Sequence, residues 1–325
     1  MIIGQELKPP DVDIKRMSQV IADVLRSSTP SVEDIVAHQT SLFGKMLRAQ
    51  LLLLSASLYS SGDGERTIMM AVVIEMIHMA TLCHDDVIDK GTMRRLRLTL
   101  RAIKGNKASI LMGDYILARA LHLVSLYGDI KLLQAISQAA GSIFEGELMQ
   151  QTNRGLLGLS ENEYMEVIRR KTGCLFALAS QLGAMLGCAP ETDAVHLAAF
   201  GLLVGTAFQM VDDCLDYTSE IGKFGKRIGL DFFNGIITLP LIKAYKNATA
   251  EERRLVTRYF GHGVSKEAAL PRIVEIVRRR GGVDYTIVRA TALVEQAQGH
   301  LEALCANDRI ETLSRFAHGI LSRFS

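Results

Sequence analysis

Apolar residues recur at three- and four-residue spacing almost throughout the 325 residues, and alternating stretches of strand type are hard to find. The spacing predicts helices over 11–28, 31–37, 43–60, 65–90, 106–127, 129–153, 160–188, 191–217, 235–246, 249–260, 264–280, 282–305 and 308–323. Local signals mark several ends. Asp63-Gly64 reads as a turn, and Gly91 as a helix stop. Ser160 with Glu163 makes a capping box, and the run Arg278-Arg279-Arg280 before Gly281-Gly282 suits a helix C-terminus. No Pro/Gly/Ser-rich linker divides the chain, so the pattern predicts one all-α domain over residues 1–325, built around a central helical bundle.

Composition supports helices: 48% of residues are hydrophobic, Trp is absent and there are only six prolines. A net charge of +2 gives no case for nucleic acid as a partner. The five cysteines show no C-x-x-C pairing, which favours a reduced, cytoplasmic setting over a zinc site. The N-terminus lacks the layout of a signal peptide. The longest apolar stretch, Ile68 to Cys83, carries Glu75 and His78 and reads as too short and too polar for a transmembrane segment. Peripheral lipid contact through an amphipathic surface stays open.

Two aspartate clusters interrupt this pattern: Asp85-Asp86-Val87-Ile88-Asp89 and Asp212-Asp213-Cys214-Leu215-Asp216. Each is D-D-x-x-D at the end of an apolar helical run. Carboxylates at i, i+1 and i+4 gather on neighbouring parts of one turn, where their repulsion resists burial unless cations compensate it. Mg²⁺ is the natural compensator, because it prefers oxygen ligands and bridges carboxylates to substrate phosphates. Cations lie nearby in sequence. Lys45 and Arg48 fall three apart on one expected helical face, Arg94-Arg95 follow the first cluster, and Lys171 precedes an apolar helix. Lys223 and Lys226 occupy a glycine-bearing loop after the second cluster. Together they suggest a phosphate-bearing substrate. His78 lies two turns before Asp85 on roughly the same side; a core histidine is the alternative.

These segments resemble the trans (head-to-tail) polyprenyl diphosphate synthases over nearly the whole chain. The matching stretches are Gly44-Lys45-Met46-Leu47-Arg48, Glu75 through Asp89, Arg94-Arg95, Gly105-Asn106-Lys107-Ala108 through Gly113-Asp114-Tyr115, Glu145-Gly146-Glu147 and Lys171-Thr172. Phe208-Gln209 before Asp212-Asp213, Gly225-Lys226 with Gly229 and Asp231, and Thr238-Leu239-Pro240 continue the match. The resemblance implies an isoprenoid-synthase-type bundle around a central cavity and a homodimer. Asp85, Asp86 and Asp89, facing Asp212 with Asp213 and Asp216, would bind Mg²⁺ that grips an allylic diphosphate. Arg94, Lys171, Gln209 and Lys226 would help hold that diphosphate. Lys45, Arg48, His78 and Arg95 would bind isopentenyl diphosphate. Asp85, Asp86, Asp89, Lys171 and Asp212 would carry catalysis: ionisation of the allylic C–O bond and attack by the isopentenyl double bond.

The chain also departs from the family pattern. Phe43, Met46 and Ala49 replace usual residues of the first motif, and Leu96 and Leu98 stand where the family has Gly and Pro. Ile236 replaces a lysine expected on the allylic diphosphate, a contact of about 1.5–3 kcal/mol for a charged hydrogen bond. Ala80 and Thr81, with Ile77 a turn deeper, occupy the positions that set chain length. Small side chains there imply a long product, about C30 to C50 by family analogy. Phe144 or Ile136 are candidates for the tunnel floor. Two other readings remain: a non-catalytic or regulatory subunit of a synthase, and a terpene cyclase, which would not need the Lys45, Arg48, His78 and Arg95 set.

Overall fold

The helical periodicity is realised almost as read. A computed structural model describes residues 14–59, 62–218, 229–260, 266–304 and 309–322. The first helices are α1 (Ile14–Leu25), α2 (Pro30–Thr40), α3 (Leu47–Ser57), α4 (Gly64–Ile88), α5 (Leu100–Ser125) and α6 (Ile130–Thr152). Then come α7 (Glu161–Ile168), α8 (Cys174–Leu186), α9 (Glu191–Thr218), α10 (Leu230–Phe233) and α11 (Leu239–Asn247). The last are α12 (Ala250–Phe260), α13 (Lys266–Arg279), α14 (Gly282–Glu302) and α15 (Ile310–Leu321).

Four local features differ from the sequence reading. The expected helix 43–60 begins only at Leu47, because Met46 is left-handed (φ 50°). The expected helix 160–188 is interrupted by a π-helical turn, Arg169–Gly173. Gly105 (φ 84°) breaks the first turn of α5 from the rest. A short antiparallel hairpin, β1 (Met93–Arg94) with β2 (Arg97–Leu98), has too few residues for any alternation to show.

The chain divides into two compact units, Met1–Ala140 with Leu175–Gly201 and His300–Phe316, and Gly141–Cys174 with Leu202–Gly299 and Ala317–Ser325. In the first unit α4 packs against α3 and α5 and is apolar nearly all round, which is why it lies inside the protein. Asp63 caps its start, accepting from the Glu65 and Arg66 amides at 3.0 and 3.3 Å. Helix α8 meets α3 through glycines. A Cβ on Gly183 would stand 2.3 Å from the Leu52 carbonyl oxygen, and one on Gly187 would stand 2.9 Å from that of Ala56.

In the second unit α11 packs against α7, α12 and α13. Phe232 stacks on Tyr259 with ring centres 3.6 Å apart. The Arg278–Arg280 run is structural: Arg278 Nε donates to the Tyr217 carbonyl (2.7 Å), while Arg279 and Arg280 both clamp Glu252 (2.5 and 2.8 Å). The capping box at Ser160 and Glu163 forms as expected.

Helices α4 and α9 reach 25 and 28 residues at mean hydropathy 1.6 and 1.7, long and apolar enough for a bilayer by composition alone. The expectation of too short a stretch is therefore corrected for α4. These windows are nevertheless 67% and 56% buried within the protein, as core helices are.

The glycine contacts give a paired expectation for thermal unfolding. Gly183→Ala forces overpacking against α3, at a cost of about 1–3 kcal/mol, and should lower the melting temperature by several degrees. Gly299→Ala, in α14 with open space around its Cβ, should leave it unchanged or raise it slightly.

Candidate active site

In both aspartate clusters the middle carboxylate is buried and the outer two are partly exposed. Positions i and i+4 lie one above the other on a helix, so Asp85 with Asp89, and Asp212 with Asp216, form the accessible pairs. Asp86 is only 6% exposed and takes a hydrogen bond from Arg94 Nη2 at 2.9 Å. Asp213, 4% exposed, accepts from the Tyr164 hydroxyl at 2.6 Å and from Gln209 Nε2 at 2.8 Å. Burial pushes the Asp213 carboxyl up to about 7; those two hydrogen bonds oppose the shift, and the neighbouring Asp212 and Asp216 add to it. Among the described residues no three His, Cys, Asp or Glu side chains close a metal cage by themselves.

The first cluster ends its helix by a Schellman arrangement. The Gly91 amide donates to the Asp86 carbonyl (2.9 Å) and the Lys90 amide to that of Val87 (3.3 Å). The left-handed residue is Lys90 (φ 53°), so the stop lies one position before the expected Gly91. Beyond it the hairpin turns Arg94 and Arg95 back toward the helix. Arg95 Nη1 donates to the Leu42 carbonyl (2.5 Å), and its guanidinium lies so close over Gly44 that a Cβ there would sit 1.9 Å from Nη2. A side chain at this position would have to displace the Arg95 guanidinium.

The same unit builds a cationic cluster. Glu75, buried within α4, accepts from the Arg48 and Ala49 amides at 3.2 and 3.0 Å and thereby caps α3 from a neighbouring helix. Arg48 is held in place, its guanidinium 4.7 Å from the centre of the Phe176 ring. Burial, followed by the charges of Arg48, Arg94 and Arg95, holds His78 well below the ordinary histidine range, so it stays neutral at physiological pH. Burial and the nearby Arg94 also lower the Arg95 guanidinium. Arg48, His78 and Arg95 thus come together as the sequence suggested, and Arg94, expected with the other set, lies near His78 as well. Lys45 is exposed and precedes α3, so it does not share a helical face with Arg48; the left-handed Met46 between them is the reason.

In the second unit Lys171 lies in the π-helical turn. It pairs with Glu147 at 2.5 Å and donates to Gln150 Oε1 at 2.7 Å. Gly146 permits this approach, since a Cβ there would meet the Lys171 amide nitrogen at 2.7 Å. The Thr172 hydroxyl donates to Gln209 Oε1 (2.8 Å), which orients the Gln209 amide toward Asp213. Asp216 accepts from the Leu230 and Asp231 amides at 3.0 and 3.1 Å and so caps α10 after the left-handed Gly229. Lys223 and Lys226 lie outside the described residues.

Of the chain-length positions, Ile77 and Ala80 are buried, and Thr81 is partly exposed with its hydroxyl on the His78 carbonyl (2.7 Å). Ile136 is fully buried, whereas Phe144 is 40% exposed. Ile236 is buried, with its amide on the Asp231 carbonyl (2.8 Å).

Residues 29–277 match the family model for polyprenyl synthetase. The chain belongs to that family. The octaprenyl diphosphate synthase of Escherichia coli strain K12 is 34% identical over 312 residues, 96% of each chain. A geranyl-diphosphate-specific all-trans-nonaprenyl-diphosphate synthase of Rhodobacter capsulatus is 36% identical over 298 residues, covering 92% of this chain and 91% of that one. Among solved structures, a polyprenyl synthase of Caulobacter crescentus CB15, complexed with calcium and isoprenyl diphosphate, is 33% identical with a TM-score of 0.91, over 96% of this chain and 95% of that one. The all-α fold is the one expected, and by family the protein is a prenyltransferase of the polyprenyl diphosphate synthase type.

Sequence reasoning passed over Glu75, Glu147 and Tyr164 as actors. Glu75 carried an advance signal as a carboxylate set within an apolar run, and Glu147 as part of the matched Glu145-Gly146-Glu147. Its removal gives a test of positioning. Glu75→Ala leaves the Arg48 and Ala49 amides unpaired and should cost about 1–3 kcal/mol in urea unfolding. It should also raise KM for isopentenyl diphosphate more than it lowers kcat, with Glu75→Gln recovering part of both.

Proposed function

We propose that the protein condenses isopentenyl diphosphate with an allylic diphosphate, in a Mg²⁺-dependent head-to-tail reaction, to give a polyprenyl diphosphate of about C30 to C50 by family analogy. The observation that carries this reading is the presence of two different charge environments: partly exposed i, i+4 carboxylates in each D-D-x-x-D cluster, and a cationic cluster of Arg48 and Arg95 around the neutral His78, with Arg94 between it and the first aspartates. The donor set fits Mg²⁺, being all oxygen and short of a closed cage, so that substrate phosphate and water complete the coordination. Each pair, Asp85 with Asp89 and Asp212 with Asp216, would offer carboxylate oxygens to Mg²⁺ within its own unit, with Asp86 and Asp213 as buried supports. When bound, Mg²⁺ neutralises the diphosphate and eases departure of pyrophosphate.

The chain's own groups supply the rest. Arg94, Lys171, Gln209 and Lys226 orient the allylic diphosphate so that the C–O bond breaks with its electron pair leaving on pyrophosphate. Lys45, Arg48, Arg95 and His78 hold the diphosphate of isopentenyl diphosphate, His78 as a hydrogen-bonding neutral ring. They set its double bond to attack the allylic carbon. A proton then leaves to the released pyrophosphate. The apolar face of α4 around Ile77 and Ala80 keeps water from the carbocation.

The long product is supported by the small Ala80 and Thr81 and by the octaprenyl and nonaprenyl synthases among the relatives. We read all 325 residues as one catalytic domain in a cytoplasmic homodimer; of these readings only the dimer gains support from exposed Leu111, Leu126 and Ile130. The terpene-cyclase alternative leaves the cluster around His78 without a task.

The test is incorporation of labelled isopentenyl diphosphate with geranyl, farnesyl or geranylgeranyl diphosphate as primer in the presence of Mg²⁺. A long-chain product is expected. No incorporation from any primer points to the non-catalytic subunit, and hydrocarbon formed from the allylic substrate alone points to the cyclase. Asp85→Ala and Asp212→Ala should each lower kcat by orders of magnitude with little change in melting temperature. Ala80→Phe should shorten the product, and an unchanged chain length would refute the tunnel assignment.

A further inference from the structure

The β1–β2 hairpin presents its polar and apolar groups in an unusual order. Pairing sets Met93 directly opposite Leu98, and Arg94 opposite Arg97, so the two apolar residues share one face and the arginines the other. The polar side is tied down: Arg94 to Asp86, Arg95 to the Leu42 carbonyl, and Arg97 to the Ser41 carbonyl at 3.3 Å. His38 Nε2 lies 3.1 Å from the Leu98 carbonyl and fastens the second strand as well. The apolar side has no such cover. Leu96, at the tip, is 69% exposed, the most exposed large apolar side chain among the described residues, and Leu98, Met93 and Ile103 are 50%, 43% and 46% exposed.

The tip is also strained. Arg95 (φ 49°) and Leu96 (φ 63°) are both left-handed, as a two-residue type I′ turn requires, and that turn favours glycine or asparagine. A leucine in this position works against the turn and against solvation at once. The segment that carries the hairpin is basic: from Lys90 to Gly113 the chain has seven cations and no Asp or Glu. Of these, Lys90, Lys104 and Lys107 are exposed.

An exposed apolar tip on a basic segment is complementary to a surface that is anionic outside and apolar within. We propose that this hairpin docks the protein on anionic lipid bilayers, with Leu96, Leu98, Met93 and Ile103 entering the interface and the lysines meeting lipid phosphates. The inference is independent of the reaction assigned above, since it concerns only the outer face of the hairpin.

The absence of Trp supplies a clean reporter. Leu96→Trp should shift its emission to shorter wavelength on addition of vesicles of equimolar phosphatidylcholine and phosphatidylglycerol, and should not shift with phosphatidylcholine alone. Val288→Trp, a 65% exposed position on α14, should stay unshifted in both. In vesicle co-sedimentation, Leu96→Gly, which relieves the turn while removing the side chain, should weaken binding about tenfold without lowering the melting temperature. Lys104→Ala with Lys107→Ala should weaken it by at least about tenfold and make the remainder less sensitive to added salt. No shift at Leu96→Trp, an equal shift at Val288→Trp, or full binding by Leu96→Gly would overturn the proposal. A vesicle-independent shift that grows with protein concentration would assign the tip to a second copy of this chain instead.

Discussion

Charge set against apolar helices has to be compensated locally, and most of the candidate site follows from how this chain does so. Glu75 is the extreme case. Its carboxylate lies inside the longest stretch of buried apolar surface, where burial raises its pKa, yet it accepts two backbone amides and faces Arg48 and Arg95. One side chain thus starts α3, fixes Arg48 and balances part of a cationic cluster. Burial, and after it the charges of the arginines, keeps His78 neutral. Removing Glu75 would leave the Arg48 and Ala49 amides without their acceptor.

The two aspartate clusters solve the same problem in the same way with different partners. In each, the central carboxylate is sacrificed to the interior and satisfied there, by Arg94 in one case and by Tyr164 with Gln209 in the other. The outer carboxylates are then displayed one turn apart on a helix that cannot rotate, because its middle residue is anchored. The identical D-D-x-x-D spelling therefore encodes two accessible acids and one anchor, a division that spacing alone does not reveal.

Much of this was legible in the sequence, and the exceptions have physical causes. Helix periodicity is a property of twelve or more residues, so α4, α5 and α9 stood out. The hairpin, the π-helical turn and the break at Gly105 each involve six residues or fewer and leave no periodic trace. Lys45 was misplaced because nothing in its composition marks the left-handed Met46 beside it. The helix stop fell on Lys90 rather than Gly91, since a Schellman turn can be satisfied by hydrogen bonds even where the residue is not glycine. Ile236 read as a missing cation on the allylic diphosphate, but the position is also buried, so the change alters the interior as well as the charge. Partners such as Glu147 for Lys171 and Tyr164 for Asp213 are far apart in sequence, and only the folded chain brings them together.

Asp216 carries one further implication. Its two oxygens are spent on the Leu230 and Asp231 amides, the first donors of α10, while its place in the cluster also makes it a natural acceptor for a cation. The two demands compete for the same lone pairs. By reciprocity, whatever draws Asp216 toward a cation must loosen the start of α10, and whatever firms up α10 must change the affinity of the cluster by the same factor. A four-residue helix of little stability of its own thereby becomes thermodynamically visible to the acidic site.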